Sequence, residues 1–147
     1  MTQTTLTLDN YQKRIAQCLL VLRLGVGIVF IMWTLDKLIN PGHAASVFER
    51  YYKISGLGIT TAYLIGSAQL ALVIAFLAGA FKKYSYGLIL LLHTISTLST
   101  YSKLLDPWSA PNLLFYAALP MLAACWALWA LRDLDTYLSF DARKSIE

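Results

Sequence analysis

The chain is poor in charged residues, and this shortage excludes an ordinary soluble domain. Of its 147 residues only 14% are charged and 58% are hydrophobic, against roughly 25% and 45–50% in soluble globular proteins. A soluble domain of this length has too little interior to hide so much apolar surface. The composition therefore indicates that the solvent of this chain is the lipid bilayer.

Cysteine and histidine are also scarce, and this excludes several kinds of site. The two cysteines, Cys18 and Cys125, lie in different apolar runs, and no C-x-x-C pair occurs. Neither a dithiol redox site nor a zinc site is indicated. The two histidines, His43 and His93, are also far apart, so a two-histidine haem would need an imidazole from another subunit. We expect no metal in the chain.

Basic residues exceed acidic ones, with a net charge of +4, but they form no patch or stripe. They cluster beside the apolar runs, as membrane topology requires. We therefore expect lipid, and no nucleic acid, as the partner of this surface.

Four apolar runs of 17 to 20 residues are present, namely Leu19–Leu35, Ala62–Phe81, Tyr84–Tyr101 and Leu113–Leu131. A helix needs about 20 residues to cross the hydrocarbon layer, and continuous apolar runs of this length exclude barrel strands. The sequence predicts an all-α integral membrane four-helix bundle, formed by one domain over residues 1–147. The predicted spans are about 17–38, 61–81, 84–104 and 112–131.

The positions of lysine and arginine predict the orientation in the membrane. Eight lie on the side of the termini and four on the opposite side, which favours cytoplasmic N- and C-termini in a bacterial inner membrane. The loop after the first run, residues 40–60, then faces outward. There Val47, Tyr51 and Ile54 recur at helical spacing, which predicts a short interfacial helix ended by Gly56 and Gly58.

Polar side chains inside or beside the first two runs need a partner or a way out of the hydrocarbon. Arg23 either snorkels to the cytoplasmic headgroups or binds an anionic or carbonyl-bearing ligand. Gln69, in the middle of the second run, either bridges to another helix or bonds to a ligand carbonyl. Lys37 either anchors the outer end of the first helix or forms the edge of an outer pocket.

The third run contains LLLHTISTLST, a histidine and several hydroxyls where lipid-facing residues are expected. His93, Thr97 and Thr100 share one helix face, and Tyr86 extends that face two turns earlier. Because such a face is costly against lipid, we expect it to turn toward the other helices. Thr94 can bond to a carbonyl of its own helix, but an imidazole cannot. His93 therefore either fastens one helix to another or binds a ligand.

Two motifs carry a resemblance to a known family. The first helix contains Arg23-Leu24-x-x-Gly27-x-x-Phe30-x-x-x-Thr34-x-x-Lys37-Leu38, and the second contains Gly66-x-x-Gln69-Leu70 followed by Gly79. These resemble the R-L-x-x-G-x-x-F-x-x-x-G-x-x-K-L and G-x-x-E-L…G patterns of the DoxX family, small four-helix membrane proteins of bacteria and archaea. Thr34 replaces the usual glycine. Gln69 replaces a frequent glutamate, which removes the titratable group that a proton relay would need.

That family is related to the small subunit of thiosulfate:quinone oxidoreductase, and other members are linked to redox or sulfur stress. The resemblance therefore implies a membrane subunit of quinone-linked redox metabolism, with quinone as the expected ligand. In this hypothesis His93 and Gln69 donate hydrogen bonds to a quinone carbonyl, and Arg23 or Lys37 supplies positive charge. The candidate ligand-binding residues are His93, Gln69, Arg23, Lys37, Thr97 and Tyr86, and no catalytic residue is assigned.

Whether the chain is an enzyme stays open at this point. It has no flavin motif and no cysteine cluster, so oxidation of a soluble substrate would require a partner subunit or a bound cofactor. The alternative hypothesis is a non-catalytic assembly or anchoring subunit, in which the polar stripe serves only packing or docking. A transporter is a third option, and its pathway would need a homo-oligomer.

Overall fold

The described part of the chain is built from helices. The computed structural model describes residues 3–144, with side chains from residue 8 onward, and this range contains no strand. Its α-helices are α1 Gln3–Ile39, α2 Pro41–Val47, α3 Ile59–Leu77, α4 Lys82–Ser99, α5 Tyr101–Leu105, α6 Ala118–Ala130 and α7 Phe140–Lys144. A π-helical turn, Phe48–Tyr52, and two 3₁₀ turns, Asn112–Ala117 and Arg132–Leu134, join them. The prediction of an all-α chain is confirmed for this range.

Three described segments are long and apolar enough to cross a membrane: Leu8–Ile39, Ile59–Leu77 and Asn112–Ala130. They correspond to the first, second and fourth predicted spans. Helix α4 is 18 residues long, but it begins with two lysines and carries a histidine and several hydroxyls. It is therefore less apolar than the other three helices, and its crossing of the membrane stays a prediction.

The four long helices contact one another in a ring. Helix α1 packs against α3 and α6, and α4 packs against the same two helices on the other side. The core between them consists of Leu19, Val26, Phe30, Val73, Phe76, Tyr86, Ile89, Cys125 and Leu128. Many other large apolar side chains of these helices are exposed. An apolar exterior around a small core is the pattern expected of helices solvated by lipid.

Two glycines allow α1 and α3 to approach closely. A Cβ atom on Gly27 would overlap the side chain of Leu77, and one on Gly66 would lie 2.8 Å from Leu38 Cδ2. Small residues at such contacts let helix backbones come together where lipid gives no hydrophobic driving force. These positions belong to the two sequence motifs, and close packing is sufficient to explain the glycines.

Several helix boundaries differ from the predicted ones. Helix α1 extends over 37 residues instead of beginning near residue 17, because residues 8–16 contain no glycine or proline to stop it. The short helix after α1 begins earlier than predicted, at Pro41, which suits a first helical turn. It is followed by the π-helical turn and ends where Lys53 adopts a left-handed conformation, φ 60, before Gly56 and Gly58.

The third and fourth predicted spans are each divided in two. A non-helical backbone at Thr100, with φ −102 and ψ 14, separates α4 from α5. The fourth span begins as a 3₁₀ turn and continues as α6 from Ala118. Pro120 thus lies in the first turn of α6, where its missing N–H costs no hydrogen bond, whereas a continuous helix would have been kinked there.

Candidate functional site

His93 is buried at the middle of α4 and has only one of its two nitrogens bonded. Its side chain is 1% exposed, and Nε2 lies 3.0 Å from the carbonyl oxygen of Ala118 in α6. Nδ1 has no hydrogen-bond partner among the described residues. Thr97 donates its hydroxyl to the carbonyl oxygen of His93 at 2.8 Å, so this hydroxyl is satisfied within its own helix.

Two aromatic rings from α1 pack against the imidazole. Trp33 stacks on it with ring centroids 6.0 Å apart and an interplanar angle of 29°. Phe30 meets it edge-on at 6.3 Å. Phe30 is almost fully buried, whereas Trp33 is 38% exposed, so Trp33 is the ring that has room to move. These contacts hold the imidazole in place from the side opposite to its bond with α6.

A cavity of about 660 Å³, called the groove below, lies beside His93 between α1, α4 and α6. Its walls are mostly apolar, and the polar wall comes from α4, which contributes His93, Ser96, Thr97 and Thr100. Val21 and Leu114 on its rim are exposed, so the groove opens on the surface that lipid would cover. Its size falls within the roughly 300–1,000 Å³ typical of ligand pockets.

A second cavity of about 270 Å³, called the vestibule below, adjoins the groove and shares Trp33, Ser96, Thr100 and Phe115 with it. It also contains Asp36, Lys37, His43, Tyr51 and Tyr52. Asp36 Oδ2 and His43 Nδ1 are 2.7 Å apart, which ties the end of α1 to α2. Lys37 Nζ donates to the carbonyl oxygen of Trp33 at 3.0 Å. The vestibule is thus the charged and aromatic end of a largely apolar depression.

A buried ionic cluster, formed by Arg23, Tyr86 and Asp135, lies about two turns from His93 along α4. Arg23 Nη1 lies 3.2 Å from Asp135 Oδ2 and donates to the hydroxyl of Tyr86 at 3.2 Å. That hydroxyl donates to the same carboxylate oxygen at 2.6 Å. Arg23 Nη2 also donates to the carbonyl oxygens of Tyr137 and Leu138. Arg23 therefore has its partners inside the protein, an option that the sequence did not suggest.

The segment that supplies Asp135, called the C-terminal strap below and comprising residues 132–144, is fastened across the junction of α3 and α4. Ser139 Oγ donates to the carbonyl oxygen of Gly79 at 3.0 Å, and Phe140 N donates to that of Ala78 at 2.9 Å. Gly79 has φ +61, and a Cβ atom there would overlap Arg23 and Ser139. Only glycine meets both the backbone conformation and the close approach.

A carboxylate of the same strap caps α4. Asp141 accepts hydrogen bonds from the backbone N–H groups of Phe81, at 3.0 Å, and Lys82, at 2.9 Å. These N–H groups have no partner within the helix, and a negative charge is favoured at a helix N-terminus. Lys82 Nζ donates in turn to the carbonyl oxygen of Asp135 at 3.2 Å. The strap is therefore held by bonds at both of its ends.

The six candidate ligand-binding residues do not converge on one cavity. His93 and Thr97 line the groove, and Lys37 lines the adjoining vestibule. Arg23 and Tyr86 belong to the ionic cluster and line neither cavity. Gln69 is half-buried on α3 and also lines neither. The groove therefore retains only two of the six residues.

Two important residues were not singled out from the sequence. Asp135 lies just beyond the last apolar run, in a tail that looked too short and mixed in charge to matter. The signal for it was Arg23, because a buried arginine requires a carboxylate and few acids lie on that side of the chain. Trp33 was placed on the face of Lys37, but its stacking on His93 depends on how α1 and α4 meet in space.

Cofactor binding is open to the groove by size, whereas metal binding has no support in the described range. Within residues 3–144, no three histidine, cysteine, aspartate or glutamate residues are grouped so as to hold a metal ion. The polar groups that line the groove are an imidazole and hydroxyls, which suit hydrogen bonds to an organic headgroup.

Known proteins give no guide to the function. No protein-family model matches this chain, and no curated protein or solved structure matches it either.

Proposed function

We propose that the protein is a four-helix subunit of the bacterial inner membrane that binds a quinone-class lipid in the groove. One observation carries this proposal: the imidazole of His93 lines a lipid-facing groove, and its Nδ1 has no partner in the described chain. A buried polar atom without a partner costs about 1–3 kcal/mol. A ligand headgroup that bonds to this nitrogen would remove that cost.

The shape of the groove supports a ligand with a polar head and an apolar tail. Along α1 the lining runs from Val21 to Trp33, which corresponds to about 18 Å at 1.5 Å per residue. The polar residues lie toward one end, between His93 and Thr100, whereas Val21 and Ala124 at the other end are apolar. A quinone has this distribution of polarity, with its ring beside His93 and its isoprenoid tail along α1.

Membrane crossing by α4 completes the proposed four-helix bundle. Its hydroxyls cost little in lipid because they bond within the helix: Thr94 donates to the Leu90 carbonyl at 2.7 Å, and Ser99 to the Ser96 carbonyl at 2.8 Å. Its lysine end is held by Asp141. Four crossings place both termini on one side, and the lysine and arginine distribution favours the cytoplasm for that side. The vestibule then opens outward.

A partner is part of the proposal. The resemblance to the DoxX family supports a role beside the electron-carrying subunit of a quinone-linked redox complex. The two cysteines and two histidines of the sequence are too widely separated to hold a redox centre in one chain. We therefore assign the chain a quinone site and leave electron transfer to another subunit or a bound cofactor.

Quinone retention tests this function directly. We would purify the protein from bacterial membranes with His93→Leu and, as a matched control, Thr94→Val, whose hydroxyl serves only its own helix. Organic extracts are then scanned for quinone absorbance. We expect quinone with the native protein and the control, and at least tenfold less with His93→Leu. Equal amounts of quinone in all three samples would contradict the proposal.

One observation favours the second candidate function, a non-catalytic anchoring subunit. The Nε2 bond of His93 to Ala118 joins α4 to α6 and would serve packing even if no ligand bound. In that case His93→Leu would lower the melting temperature or reduce co-purification of a partner subunit. Quinone content would then be the same in the variant and the native protein.

A further inference from the structure

The hydrogen bond to Ala118 determines the chemical role of each nitrogen of His93. A carbonyl oxygen can only accept, so Nε2 carries the proton and donates it to Ala118 at 3.0 Å. The ion pairs of the described residues involve Arg23, His43 and Arg132, and none involves His93. A charged imidazole in these apolar surroundings would lack compensation. The ring is therefore neutral, and Nδ1 presents a lone pair that accepts a hydrogen bond.

We infer that the groove selects a headgroup that donates a hydrogen bond, and so binds the quinol form in preference to the oxidised quinone. This inference rests on the proposed quinone-class ligand. The oxygens of an oxidised quinone only accept, and such an oxygen opposite Nδ1 would leave two acceptors facing each other without a proton. A quinol hydroxyl supplies that proton, and its hydrogen bond satisfies the nitrogen.

The inference changes the role that the sequence suggested for this residue. We expected His93 to donate to a quinone carbonyl, but its only N–H is already engaged by the main chain of α6. Gln69, the second expected donor, lines neither cavity. Among the candidate ligand-binding residues in the groove, Thr97 donates its hydroxyl to the His93 carbonyl. The polar groups nearest to His93 therefore leave acceptor sites for a ligand.

Access to Nδ1 requires a movement of a neighbouring side chain, since this atom is buried in the structure. Trp33 stacks on the imidazole and lines both the groove and the vestibule. A ligand ring that displaces the indole can take its place against His93 and exchange one stacking contact for another. Binding should therefore alter the fluorescence of Trp33, a change that Trp33→Phe removes.

Three probes with the same ring test the preference. They are a short-chain benzoquinone, its quinol, and the dimethyl ether of that quinol, which has the shape of the quinol but no hydrogen-bond donor. Each is titrated anaerobically into the protein in phosphatidylcholine nanodiscs, and protein-free nanodiscs correct for partition into lipid. We expect the quinol to bind about tenfold more tightly than either of the other two probes.

Variants of His93 show whether the preference arises at this nitrogen. His93→Leu should abolish the difference between the probes. His93→Gln should keep it, because an amide can donate to Ala118 and still present an oxygen acceptor. Thr94→Val should leave all three affinities unchanged.

The outcomes distinguish the inference from the function on which it rests. If all three probes bind in a His93-dependent manner and the quinone binds as tightly as the quinol, the preference for a donor is wrong and the quinone-class site remains. If no probe binds above the protein-free nanodiscs, or binding is the same in His93→Leu, the proposed function itself is wrong.

Discussion

Helix α4 carries two buried polar sites, and they differ in how far the protein itself satisfies them. At one end, the ionic cluster joins Arg23, Tyr86 and Asp135 through contacts of 2.6 to 3.2 Å, with further bonds from Arg23 to the strap. Two turns away, His93 makes one bond between side chain and main chain and lies beside a groove. Dense mutual bonding indicates a structural site, whereas a half-bonded group beside a cavity indicates a binding site.

The contrast is one of degree, because the ionic cluster also contains atoms without partners, Arg23 Nε and Asp135 Oδ1. Each of these belongs to a side chain that is otherwise bonded, and neither residue lines the groove or the vestibule. The comparison can be broken by variants that show ligand dependence in the cluster or a stability role at His93.

The largest expected effect is at Asp135. Asp135→Asn leaves the fully buried Arg23 without a countercharge, and removing one partner of a buried pair costs about 3–5 kcal/mol. We expect a marked fall in the thermal unfolding temperature in nanodiscs. Asp133→Asn is the control, since its side chain is 84% exposed. Equal unfolding temperatures for the two variants would show that the cluster does not hold the strap.

Gly79→Ala should be the next most harmful change. The new Cβ would overlap Arg23 and Ser139 at a backbone φ of +61, and such strain costs on the order of 1–3 kcal/mol. Gly25→Ala is the matched control, because nothing lies within 4 Å of its Cβ position. Limited proteolysis of the C-terminal strap should be faster in Gly79→Ala than in the control, and equal rates would contradict the close packing.

Tyr86→Phe removes two hydrogen bonds of the cluster but keeps the ring in the core. We expect a loss of about 1–3 kcal/mol, because the phenol bonds to a charged carboxylate. Tyr84→Phe, at a position that is 67% exposed, should leave the unfolding temperature unchanged. If Tyr86→Phe also weakened quinol binding, the separation of the two sites along α4 would be wrong.

The smallest effect on stability is expected at His93. His93→Leu loses one hydrogen bond to Ala118 and also removes an unpartnered nitrogen, so we expect a change of about 1 kcal/mol or less. Differential scanning calorimetry of the variant and of Thr94→Val would measure this. A loss as large as that of Asp135→Asn would mean that the imidazole is a structural fastener.

The sequence predicted the helices well because their signals are local. Apolar runs near 20 residues, interrupted by glycine, proline and charges, located all four long helices to within several residues, apart from the start of α1. The burial of His93 also followed from its helix face and its depth in an apolar run. The two glycines of the motifs pointed correctly to positions of special packing, at Gly27 and Gly66.

The division of the candidate residues between two sites could not be predicted in this way. Whether Arg23 meets a ligand, a headgroup or Asp135 depends on how the strap folds back beneath α3 and α4, a contact between residues more than one hundred positions apart. The free nitrogen of His93 depends in the same way on where the carbonyl of Ala118 falls. Such long-range placements leave no periodic pattern in a single sequence.

The most direct test of the contrast measures quinol affinity and unfolding temperature together in His93→Leu and Tyr86→Phe. The two sites predict opposite outcomes. His93→Leu should lose at least tenfold in affinity and change its unfolding temperature by only a few degrees, whereas Tyr86→Phe should unfold earlier with its affinity unchanged. Parallel losses of affinity and stability in both variants would contradict the assignment of His93 to binding and of the ionic cluster to structure.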